Sequence, residues 1–187
     1  MKNTERPQLS KIILILSVFM AVFIGSTPSA MAATAQKKTD SSLSEFLKLN
    51  EELLKDISNS KTTATHISAK AKNLVTKGKT LLTDLKNNKK ECAAMLTLVL
   101  DQAEKMQNLS LAEIEEKFHQ GKSLPTSSAL CTELKEFVVH PATVVILAKA
   151  KSLNKDIRER MTAELDELSV HLDNVKMILE MQKTDEK

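Results

Sequence analysis

Tryptophan and tyrosine are absent from this chain, and five Phe supply all of its aromatic content. Glycine occurs three times and proline four times in 187 residues. Pro7, Gly25 and Pro28 fall near the start, so Gly78, Gly121, Pro125 and Pro141 are all that remain for the rest of the chain. Barrels, sandwiches and doubly wound sheets turn many times and use Gly and Pro to do it. This chain cannot supply those turns. Nor can it bring backbone close to phosphates, because the Gly-x-Gly-x-x-Gly turn, the P-loop pattern and the Gly-x-Ser-x-Gly elbow are all missing. The expectation is a protein that is not an enzyme and has no catalytic residues. Its two cysteines form neither Cys-x-x-Cys nor Cys-x-x-Cys-His, which argues against a redox-active thiol pair and excludes covalently attached haem.

The first 32 residues read as a secretory signal. Lys2, Arg6 and Lys11 stand against one acid, Glu5, and an uncharged, mostly apolar run follows from Ile12 to Gly25. That run is shorter than the roughly 20 residues a membrane span needs. Ser26, Thr27 and Pro28 disfavour helix, and Ala30-Met31-Ala32 offers small residues where a signal peptidase reads. Cleavage is expected after Ala32, with Ala35 as second choice, giving an exported, periplasmic chain with no stable membrane insertion. Taking three basic residues and one acidic residue from 27 and 24 leaves 24 Lys and Arg against 23 Asp and Glu. A nearly neutral mature chain lacks the basic excess that nucleic acid requires.

What remains is rich in Leu, Ala, Lys and Glu, the composition of long helices. Residues 33–42 are polar and read as a flexible lead-in. From Leu43 a stripe runs through Leu47, Asn50, Leu54, Ile57, Lys61, Ala64, Ile67, Ala71, Leu74, Gly78 and Leu81 to Leu85, with alternating spacings of three and four. This predicts one long helix, weakest over Ser58–Thr65, where short polar side chains compete for the backbone. A second helix fits Lys89 to Gln107. Ser110 and Glu113 match a capping box for a short third helix that Gly121 ends. A fourth fits Ser128 to Val139. Pro141, welcome at a first helical position, then starts a last helix reaching about Met181 and leaves His140 at a corner. The fold class is all-α. The expected architecture is an elongated antiparallel four-helix-type bundle over residues 43–182, with two long outer helices, a broken third and a frayed tail at 183–187.

Chemistry concentrates between Ser110 and Val145. Cys92 and Cys131 are an even pair in an exported chain, which favours a disulfide, although both also fall on inward stripes where free thiols would serve as small apolar residues. Glu116 and His119 have the Glu-x-x-His spacing of carboxylate-bridged metal bundles, but the motif occurs once where such sites use it twice. Glu136 and His140, four apart, would add ligands if the short helices fold together. Surface polar residues remain the plainer account of all four. The leading expectation is a helical adaptor or structural module that binds a protein partner or a second copy of itself and carries no cofactor. The alternative is a bundle binding a divalent metal or haem through Glu116, His119, Glu136 and His140.

Overall fold

The computed structural model describes residues 28–185, with side chains over 39–181, and no strand occurs among them. Helix α1 spans Pro28–Ser58, α2 Ala64–Asn88, α3 Ala93–Met106, α4 Leu111–Ile114, α5 Ala129–Leu147 and α6 Lys155–Asp185. A 3₁₀ turn, Lys90–Cys92, leads into α3, and a π-helical turn, Glu115–His119, continues α4.

Helix α1 is helical from the first described residue, Pro28, onward. The lead-in expected at 33–42 is therefore helical, and the expected cleavage point at Ala32 lies inside α1. Residues 1–27 of the expected signal lie outside the described residues. The buried seam of α1 is Leu43, Phe46, Asn50, Leu53 and Ile57, so Phe46 and Leu53 take the places expected for Leu47 and Leu54.

The long first helix does not form. It stops at Ser58, and α2 restarts after Thr63, whose side chain accepts the His66 N–H. The polar stretch supplies its own backbone partners: Ser58 Oγ donates to the Lys55 carbonyl, and Asn59 Oδ1 accepts from the Lys61 amide. The chain folds back here, and Lys70 and Lys77 of α2 pair with Asp56 and Glu45 of α1. The last helix is also shorter than expected. Helix α5 ends at Leu147, and Asn154 caps α6 by accepting the Ile157 amide. The two long outer helices of the expected bundle are thus replaced by α1, α2 and α6. Helix α6 extends to Asp185, through most of the expected frayed tail.

Pro141 does not begin a helix; α5 runs straight through it. Helix α5 packs against α2, α3, α4 and α6, and α1 packs against α2 and α6. Almost every α5 residue from Leu130 to Val145 is buried, as in a helix surrounded by others. That packing outweighs the local cost of a Pro, which removes one backbone donor. The carbonyl deprived of that donor belongs to Phe137, four residues back, and Gly78 of α2 lies against it. Buried apolar side chains form one continuous core from Leu43 to Leu179. The disulfide Cys92–Cys131, with Cα atoms 5.1 Å apart, ties the foot of α3 to the first turn of α5.

Candidate metal centre

The buried residues of α5 are apolar except for a polar band: Lys135, Glu136, His140 and Thr143. Burying such groups is costly unless they find partners. Their partners come from two other elements. His119 arrives on the π turn, and Glu164 arrives on α6.

The π turn is placed by local chemistry. Ser110 Oγ accepts the Glu113 amide while Glu113 Oε2 accepts the Ser110 amide, completing the capping box and starting α4. Gly121, at φ 72°, ends the segment, and the amides of Lys122 and Ser123 reach back to the carbonyls of Glu116 and Lys117. Lys135 Nζ donates to the carbonyl of His119, fixing the turn against α5. π-turns of this kind often sit at functional sites.

His140 Nδ1 is 2.9 Å from Glu164 Oε2, and His119 Nε2 is 3.6 Å from the same oxygen. One ligand atom from each of His119, His140 and Glu164 lies within 4.8 Å of the other two. The two imidazole rings meet edge to face with centroids 4.7 Å apart. His140 is 1% exposed, while the side chains of His119 and Glu164 are 15% and 23% exposed, so the group is enclosed on the α5 side and reachable from the other. On the α5 side, Glu136 Oε2 is 3.5 Å from His119 Nδ1 and 3.7 Å from His140 Nε2. Glu136 Oε1 is bonded by Lys135 Nζ. His171 stacks on His140 at 5.2 Å, and its Nδ1 lies 2.6 Å from Glu133 Oε2.

Burial dominates the electrostatics. It pulls His119 down to about 4, aided by the neighbouring His140, and pulls His140 down to about 4 against the opposing pull of Glu136. Both imidazoles are therefore neutral at physiological pH, the form that binds metals. Burial also raises the carboxyls of Glu136 and Glu164 above their ordinary value.

Three of the four residues singled out in the sequence converge here: His119, Glu136 and His140. Glu116 does not. Its carboxylate is exposed and pairs with Lys122 at 3.2 Å. The Glu-x-x-His spacing shares a face only in an α-helix, and the wider closure of the π turn rotates the two residues apart. Glu164, Lys135 and Thr143 were missed. Thr143 Oγ1 lies 3.2 Å from His119 Nε2. Glu164 and His171 are seven apart on one helix, two turns along a single face, and that spacing was the available signal.

Comparison with protein-family models, with curated proteins and with solved structures finds no match to this chain.

Proposed function

We propose that this chain is an exported, helical metal-binding protein that holds one divalent transition-metal ion between His119 Nε2, His140 Nδ1 and Glu164 Oε2. The observation that carries the reading is the convergence of two imidazoles and a carboxylate from three separate elements, beside a buried polar band of α5. Ligands about 2.0–2.1 Å from a tetrahedral ion sit roughly 3.3–3.4 Å from one another. The spacings of 2.9 and 3.6 Å around Glu164 Oε2 bracket that value. Nitrogen and carboxylate donors suit zinc(II), copper(II) and related borderline ions. Three protein ligands leave a fourth position on the exposed side.

Export is part of the proposal. A disulfide persists in oxidising compartments, and no helix among the described residues is long and apolar enough to cross a membrane. A mature chain beginning at Ala33, read from the intact mass of the exported protein, would support cleavage after Ala32. The adaptor role expected from the sequence has less behind it: Val170, Met177 and Met181 are the large apolar side chains left exposed among the described residues.

Equilibrium dialysis against zinc(II), with metal counted by elemental analysis, tests the function. One ion per wild-type chain, absent from His119→Ala and from Glu164→Gln, is the expected result. A wild-type chain that retains no ion contradicts it.

A further inference from the structure

On the α5 side of the two imidazoles the hydrogen bonding is incomplete. Glu136 Oε2 and His140 Nε2 are both buried, stand 3.7 Å apart, and have no hydrogen-bond partner. A buried polar atom left unpaired is costly, so two of them facing each other call for an explanation.

The explanation lies in how many protons an imidazole carries. A neutral ring has one N–H and one lone pair. Each ring here stands between two carboxylates. Glu164 faces His119 Nε2 and His140 Nδ1, while Glu136 faces His119 Nδ1 and His140 Nε2. When His140 donates from Nδ1 to Glu164, its Nε2 lone pair is turned on Glu136 Oε2, and two acceptors confront each other with no hydrogen between them. An ion on the Glu164 side reverses this. It needs the lone pairs of His119 Nε2 and His140 Nδ1, so the ring protons sit on His119 Nδ1 and His140 Nε2. Both then point at Glu136 Oε2.

Resting on the metal reading above, we propose that Glu136, anchored by Lys135, is the outer carboxylate that receives the second N–H of both imidazoles and so sets the affinity of the site. Metal-binding histidines commonly donate their other nitrogen to such a group, and the partner fixes both tautomer and ring orientation. Glu136 is well placed to do so. Its side chain is 6% exposed, Oε1 is occupied by Lys135 Nζ, and Oε2 is the oxygen left for the rings. Lys135 also holds the carbonyl of His119, so one cation ties the carboxylate and the π turn to the same place. Glu136 is thus a positioning residue and touches no ion itself.

The test is zinc(II) titration of the wild-type chain, Glu136→Gln and Lys135→Met/Glu136→Gln, combined with nitrogen NMR of the histidine rings in the zinc-loaded wild type. The double variant removes the buried cation along with its partner, which guards against a misfolded single variant. Both variants are expected to keep one zinc per chain and to bind it roughly 10- to 100-fold more weakly. The wild-type spectrum is expected to show zinc on His119 Nε2 and His140 Nδ1, with protons on His119 Nδ1 and His140 Nε2. Unchanged affinity in both variants overturns the role of Glu136 while leaving the metal site standing. Zinc on His140 Nε2 overturns it too, because Glu136 would then face the ion. A wild-type chain that binds no zinc removes the site and this inference together.

Discussion

Gly78 of α2 lies directly against the main-chain carbonyl of Phe137 on α5, so closely that a Cβ at position 78 would collide with the oxygen. The hydrogen Gly78 carries in place of that Cβ faces a carbonyl which Pro141, four residues on, cannot satisfy. One pair of residues therefore explains both a helix that tolerates an internal Pro and a neighbour that must be Gly.

Gly78→Ala should accordingly destabilise the protein despite the better helix propensity of Ala. The clash is with backbone and has no flexible side chain to absorb it, so the cost should be about 1–3 kcal/mol. A thermal melt would show this as a fall of about 3–10 °C. The same substitution at Gly121 is strained for another reason, the positive φ, although open space surrounds it.

Arg158 binds the carbonyls at the end of the first helix and in the turn that follows. Its guanidinium donates to the carbonyls of Ile57 and Asn59 through Nη1 and to those of Ser60 and Thr62 through Nη2. Arg158→Ala removes every one of these bonds, and Arg158→Lys cannot reproduce the fork. Arg158→Ala should cost about 1.5–3 kcal/mol, read as a lower urea midpoint with an unchanged slope.

The Cys92–Cys131 bond closes a span of 39 residues that contains α3, α4 and the π turn. In the chain-entropy account such a closure stabilises by about 4 kcal/mol. Cys92→Ser/Cys131→Ser should therefore melt well below the wild type, and a reducing agent should lower the wild-type melting temperature toward the variant's without lowering the variant's own.

The carboxyl of Glu113 is held down to about 2, first by the Ser110 amide, then by the Ser110 hydroxyl and Lys117. A carboxyl lowered in the folded state contributes stability that is complete above its unfolded value of 4.5 and is lost as pH falls toward about 2. Carboxyl NMR of Glu113 should show a titration near 2 in the wild type and a higher one, still below 4.5, in Ser110→Ala, which removes the hydroxyl and keeps the amide.

The helical class, the capping box at Ser110, the stop at Gly121 and the Cys92–Cys131 bond were legible because each depends on residues close together in the sequence or on simple counting. Pro141 misled for the same reason. Its local preference is to start a helix, and the surroundings that overrule it, α2 and α6, are distant in the sequence and lie in opposite directions along the chain. The candidate site divides the same way. His119, Glu136 and His140 stood out as chemistry-bearing residues in one stretch. Glu164 lies on another helix, and nothing local shows that α6 brings it across the rings. Glu116 was read from an α-helical spacing that the π turn does not keep.

The most direct measurement is a zinc-soaked crystal examined at the zinc absorption edge. One anomalous peak bonded to His119 Nε2, His140 Nδ1 and Glu164 Oε2 is the predicted result. Full-occupancy zinc elsewhere on the chain, or no peak between these three atoms in the presence of excess zinc, would contradict it.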